Sequence, residues 1–186
     1  MVKAVSESVK HMATAKEANR PLFQLALGAV FAALVCVVTV LFTIPIPATS
    51  GYFNLGESVI FIAALIFEPF VGSIAGGGAA IADLILGAYV FAPATLIIKT
   101  FEGLIVGITN RKLRQRTSSA TLSATISIVL GGVEMIAGYF IYETLVKGYP
   151  AALTEIPVNI VQVVVGLAVA VPIMHAIFRV FPQLKS

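Results

Sequence analysis

From Leu22 to Ile44 the chain is almost unbrokenly apolar, and a helix of roughly 20 residues is what it takes to cross the hydrocarbon core of a bilayer. A run of that length dictates the environment in which the rest must fold. The composition agrees: of 186 residues, 59% are hydrophobic and 11% charged, and the mean hydropathy is +1.00, a balance that excludes a water-soluble domain of this size. Strict apolar/polar alternation is missing, so helices are expected rather than a β-barrel. The run follows about twenty residues of polar tail, exceeds a signal-peptide core of about 7–15 residues and lacks a small-residue cleavage site. It reads as the first span.

Residues 1–20 carry Lys3, Lys10, Lys16 and Arg20, with Val2, Val5, Val9 and Met12 recurring on one helical face. That pattern predicts a short amphipathic helix on the membrane surface. Spans are predicted at about 22–44, 55–67, 71–88, 94–110, 120–142 and 157–180. Ile-Pro-Ile-Pro ends the first, an uncharged loop covers 45–54, Pro69 closes the short second, and Pro157 suits the first turn of the sixth. The expected fold class is therefore an all-α integral membrane protein: a six-transmembrane-helix bundle over residues 21–186, preceded by the interfacial segment 1–20. Lys3, Lys10, Lys16, Arg20, Arg111, Lys112, Arg114, Arg116, Arg179 and Lys185 fall on the side of the termini, against Lys147 alone in an opposite loop. The positive-inside rule then places both termini and the 111–116 loop in the cytoplasm. The same placement accounts for the net charge of +3 without a nucleic-acid partner.

Within the fourth span, Lys99 and Glu102 lie about one turn apart on one face. Charges at membrane depth are costly and mark functional sites by default. Counted from the outer ends of their spans, Asp83, Lys99, Glu134, Asn159 and Gln162 come to a similar level in the outer half of the membrane. Tyr52, Tyr89, Tyr139, Tyr142 and Tyr149 lie on that side too, either as an interfacial aromatic belt or as the flat walls of a pocket for a small polar heterocycle. Lys99 either pairs structurally with Glu102 or Asp83, or serves a ligand. Asn54 and Glu57 have the Asn-x-x-Glu spacing of a capping box and are also candidates for the site. The candidate binding residues are thus Tyr52, Asn54, Glu57, Asp83, Tyr89, Lys99, Glu102, Glu134, Tyr139, Asn159 and Gln162.

Gly28, Ala29, Ala32 and Ala33 form overlapping small-xxx-small pairs in the first span, and Gly72, Gly76 and Ala80 continue the pattern in the third. Such stripes let helices approach closely. The first could serve a second membrane subunit, the third packing within the bundle. No cofactor or metal is expected: Cys36 is the single cysteine and sits in a span, and His175 lies far from the acidic level. His-Glu-x-x-His, Gly-x-Ser-x-Gly and Walker motifs are missing, so the reading is not an enzyme, and energy must come from partners or gradients. A stand-alone proton-coupled secondary transporter of a small heterocycle is the alternative, although duplicated halves are not evident.

Tyr-Phe-Asn-Leu-Gly-Glu at 52–57, the Gly-rich third span ending in Ala82-Asp83, and Ala92-Pro93-Ala94-Thr95 leading to Lys99 and Glu102-Gly103 resemble an S component of an energy-coupling factor vitamin importer. The likeness runs over about 22–180 and is to the riboflavin-type or hydroxymethylpyrimidine-type branch. It implies a multi-pass subunit of a prokaryotic cell membrane that binds a vitamin or precursor from outside. It also implies partners, a transmembrane coupling subunit and two ABC ATPases, with Ala29 and Ala33 matching the docking motif and Gly28 and Ala32 widening it. Loop 45–54 would be the lid, and ATP-driven rearrangement would tip the subunit in the membrane. The chain has no Trp, so Tyr and Phe would do the stacking, which suits a pyridine or pyrimidine better than a flavin.

Overall fold

The computed structural model describes residues 2–46 and 51–185, with side-chain surroundings for 20–46 and 51–184. Among these, α1 runs Val2–Leu41 and passes through Pro21. The separate N-terminal helix expected over 1–20 is instead continuous with the first span, because that Ala-, Lys- and Glu-bearing segment favours helix and one proline removes only one internal hydrogen bond. The apolar face expected from Val2, Val5, Val9 and Met12 lies outside the residues whose side chains are described.

The loop expected at 45–54 is partly a hairpin. Strands β1 (Thr43–Ile46) and β2 (Gly51–Asn54) pair antiparallel with Thr43 opposite Asn54 and Pro45 opposite Tyr52; residues 47–50 lie outside the described ones. Pro45 is tolerated because each strand of a two-stranded sheet has a free edge. The all-helical expectation thus holds for the bundle and is corrected at this cap.

Helix α2 (Gly56–Ile66) spans eleven residues, about 16 Å of rise, which is roughly half a bilayer core. Helices α3 (Pro69–Leu86), α4 (Ala92–Arg114), α5 (Ala120–Lys147) and α6 (Tyr149–Val180), together with α1 from Arg20 onward, are long and apolar enough to cross a membrane. Six predicted spans are therefore five long helices and one short one. Packed against α1, α3, α4 and α6, α2 has ten of its eleven residues buried. Its apolarity reports enclosure by protein rather than by lipid.

Two boundaries differ in a way that matters for the site. Helix α5 continues past Tyr142 to Lys147, and α6 begins at Tyr149 with Pro150 in its first turn, so Pro157 is interior. Gly148, at φ 90°, makes the reversal between them, a backbone conformation that glycine adopts without steric cost.

Small residues bring α3 against both neighbours. A Cβ on Gly76 would stand 2.0 Å from the Lys99 carbonyl oxygen, and one on Gly103 2.2 Å from that of Gly72. On the other side, Gly28 lies under Ile74, and a Cβ on Gly78 would meet the Ala32 carbonyl at 2.0 Å. Gly28 and Ala32 therefore face α3 rather than an outside partner, which corrects half of the expected docking stripe; Ala29 and Ala33 remain exposed. Gly76→Val, by overpacking a backbone contact, is expected to destabilise by about 1–3 kcal/mol or more, read as a lower thermal midpoint in detergent. Gly77→Ala, whose nearest new neighbour is the Leu96 side chain at 3.5 Å, should leave that midpoint unchanged.

Candidate functional site

Lys99 points from α4 into the middle of the bundle. Its ammonium hydrogen-bonds the Glu57 carboxylate of α2 and the Glu102 carboxylate of α4, the latter at 3.0 Å, and the three side chains are 3%, 1% and 0% exposed. Breaking such a buried cluster by removing one member leaves uncompensated charge, typically costing about 3–5 kcal/mol. Glu57 sits in the first turn of α2, where the positive end of the helix dipole also favours a carboxylate. Nature has not used it as a cap: Asn54 Oδ1 accepts from the Gly56 N–H at 2.9 Å, while the Asn54 N–H turns to Gln162. The capping-box alternative is thereby overturned.

From this cluster hydrogen bonds run up to the hairpin. Gln162 Nε2 of α6 donates to Glu57 at 3.3 Å, and Gln162 Oε1 accepts from the Asn54 backbone and side-chain amides, both at 3.2 Å. Thr39 of α1 donates to Asn54 Oδ1 at 3.3 Å. Separately, the Tyr52 hydroxyl donates to Asp83 of α3. Burial and the adjacent Asp83 carboxylate push the Tyr52 hydroxyl above its ordinary range, so it remains a donor at physiological pH. Tyr139 of α5 donates to Thr95 Oγ1 at 3.0 Å, and its ring centroid lies 5.7 Å from the Lys99 ammonium.

Between hairpin and cluster lies a cavity of about 50 Å³, lined by Gly51, Tyr52, Asn54, Ala79, Asp83, Phe91, Thr95, Lys99, Tyr139, Glu143, Glu155, Asn159 and Gln162. Seven of the sequence-derived candidates meet there: Tyr52, Asn54, Asp83, Lys99, Tyr139, Asn159 and Gln162. Glu57 and Glu102 lie just behind the wall as partners of Lys99. Two candidates lie outside this lining. Tyr89 is 67% exposed because it stands in the α3–α4 turn beyond the helix end. Glu134, rotated about 140° from Tyr139 around α5, is half-buried in electrostatic reach of Lys99 and Glu57, with Oε2 enclosed and without a partner among the described residues. Thr95, Phe91, Glu143 and Glu155 line the cavity without having been candidates. The two glutamates look like loop charges only if α5 stops at 142 and α6 starts at 157; Gly148-Tyr-Pro, a helix stop followed by a favoured first-turn proline, is the signal that would have moved both boundaries.

The model of the ECF-type riboflavin transporter S component family matches residues 22–179, taking in every element from the first span through α6. The chain belongs to that S-component family. With five long apolar helices, this member is a multi-pass protein of a prokaryotic plasma membrane, a non-enzymatic transporter subunit concerned with vitamins or their precursors. It is 33% identical over 154 residues to the thiamine precursor transporter HmpT of Lactococcus lactis subsp. cremoris, covering 82% of this chain and 86% of the relative. It is 40% identical over 136 residues to an uncharacterised protein in a gap 3′ region of Pyrococcus woesei, covering 73% and 88%. Among solved structures it shares the fold of ThiT from Listeria monocytogenes (TM-score 0.69, 18% identity, covering 90% of this chain and 99% of that one). A bacterial ECF transporter S component is similar too (TM-score 0.61, 18% identity, covering 89% and 99%).

For this S component the geometry separates fold from binding. Lys99→Ala strands two buried carboxylates and is expected to cost about 3–5 kcal/mol of stability, visible as a lower thermal midpoint in detergent. Asn159→Ala, which changes the cavity wall without touching the ion cluster, should keep the midpoint within the scatter of about ±0.5 kcal/mol typical of benign substitutions.

Proposed function

We propose that this S component captures a small pyrimidine-type vitamin or vitamin precursor at the outer face of the membrane and releases it inside. Release follows when an ATP-driven module, one coupling subunit and two ABC ATPases, tips the bundle. The observation that carries this reading is the cavity between the hairpin and the Lys99 cluster, where acid and amide side chains meet the rings of Tyr52, Phe91 and Tyr139. Amide and acid groups around flat rings recognise the edge and the face of a heterocycle. At about 50 Å³ the space takes a few water-sized groups, so a ligand needs more room than the cavity offers as it stands, and a single ring asks for less than a flavin. Similarity to a thiamine precursor transporter points the same way. The hairpin is fastened by replaceable contacts: Asn54 to Gln162 is a neutral hydrogen bond worth about 0.5–1.5 kcal/mol and Tyr52 to the Asp83 carboxylate one worth about 1.5–3 kcal/mol, and bonds to a ligand can stand in for both.

The basic residues gathered at the termini and at 111–116 support cytoplasmic termini, with the hairpin on the outer side. The outward face of α1 supplies the docking surface. Ala29 and Ala33 are exposed, flanked by exposed Val30, Leu34 and Val37, and small residues there allow a partner helix to approach closely.

Titration of detergent-purified protein with 4-amino-5-hydroxymethyl-2-methylpyrimidine should give saturable binding that Asn159→Ala weakens about tenfold, the loss expected when a polar contact of roughly 1.4 kcal/mol is removed. Saturation by riboflavin, with indifference to the pyrimidine, would replace the ligand assignment. The pair Ala29→Leu and Ala33→Leu should leave binding intact and abolish uptake by cells carrying the coupling module. Uptake that persists when the ATPases are deleted would instead favour a lone proton-coupled carrier.

A further inference from the structure

We propose that Glu143 and Glu155 form a subsite for a positively charged nitrogen on the ligand, so that the cavity prefers an ammonium-bearing or quaternary heterocycle to a neutral one. The inference rests on the pyrimidine-type reading above and adds a charge requirement to it.

The turn at Gly148 folds the end of α5 back onto the start of α6 and brings both glutamates to the cavity wall. Their side chains are 3% and 4% exposed. Glu143 Oε2 and Glu155 Oε1 are each enclosed with no hydrogen-bond partner among the described residues, and so is Oδ2 of Asp83 on the facing wall. Buried carboxyl oxygens left this way cost free energy unless something charged or protic meets them. Lys99 is held by Glu57 and Glu102 and reaches Asp83 only electrostatically. Lys147, in electrostatic reach of both glutamates, stands 3.9 Å over the Phe91 ring at the rim and is one cation for the two of them.

Two further features favour a cation at this spot. Glu143 lies in the last turns of α5, where the helix dipole is negative and adds to the field of the carboxyl groups. Phe91 lines the same cavity, and its ring, already holding one ammonium, offers a face of the kind that attracts cations. Above them, a Cβ on Gly51 would come within 2.2 Å of Glu155 Oε1, so the hairpin rests directly over the acid pair and a cation between the glutamates would lie beneath the roof.

The test compares two ligands differing in one group: 4-amino-2-methylpyrimidine bearing either a 5-aminomethyl substituent, an ammonium at pH 7, or a 5-hydroxymethyl substituent. By calorimetry on the native chain in detergent, the ammonium ligand should bind about tenfold or more tightly, the scale on which buried charge pairs discriminate. Glu143→Gln and Glu155→Gln should each lower its affinity about tenfold more than they lower that of the hydroxymethyl ligand. Equal affinity of the two ligands for the native chain overturns the subsite and leaves the pyrimidine reading standing, as does a loss in the Gln variants that ignores ligand charge. Two glutamates that only share a proton would give that result. Failure of both pyrimidines to bind, with another heterocycle found on the protein by native mass spectrometry, overturns the pyrimidine reading and the subsite with it. The ligand comparison needs no variant, so it decides even if a substitution impairs folding.

Discussion

One ammonium group organises this bundle. Lys99 is buried where lipid-facing helices would tolerate no charge, and it is stable there because Glu57 and Glu102 reach it from two helices. Glu57 engages Gln162, Gln162 engages Asn54, and Asn54 engages Thr39, so a continuous set of hydrogen bonds joins α4, α2, α6, the hairpin and α1. Each member bonds the next, although Glu57 Oε1 and Glu102 Oε1 are enclosed without a partner among the described residues, so the network is satisfied along its length and not at every atom.

The cavity lies at the hairpin end because of the lengths of the elements. Helix α2 rises only about 16 Å and starts immediately after β2, so its first turn sets Glu57 just behind Lys99, which lines the floor, while the hairpin forms the roof. The backbone contact of Gly76 with the Lys99 carbonyl holds α3 and α4 close at that floor. Above it, Asp83 and Thr95 take part in polar contacts from the same two helices, and the space opens. A packed level and a cavity-lining level thus follow one another along one helix pair.

Much of this arrangement was legible in the sequence, for physical reasons that also mark where legibility ends. Lys99 and Glu102 stood out because a charge in an apolar run has few solutions. Asp83, Asn159 and Gln162 followed from depth alone. Glu57 was ambiguous: Asn-x-x-Glu spacing is shared by a capping box, and only tertiary contact shows that its carboxylate faces Lys99. The hairpin escaped notice because Ile-Pro-Ile-Pro reads as a helix stop and a two-stranded sheet leaves little periodicity. Glu134 and Tyr89 were placed by depth without direction, and a helix side chain's bearing turns about 100° per residue, so level without azimuth cannot assign a wall. Glu143 and Glu155 were hidden by a boundary error of five to eight residues at the α5–α6 turn, where charged residues resemble a loop.

The small residues of α1 show the same limit and a consequence for mechanics. Gly28 with Ala32, and Ala29 with Ala33, have identical spacing, yet lie about 100° apart around the helix; the first pair meets α3 and the second is exposed. Spacing alone cannot tell the two uses apart, whereas burial can. Since the inward pair packs α1 on α3 at backbone distance, with Ala32 against Gly78, the helices cannot slide or part without losing close contacts all along the seam. Two layers of direct backbone packing, Ala32 on Gly78 and Gly76 on Lys99, thus lie between the outward face of α1 and the segment of α4 that lines the cavity.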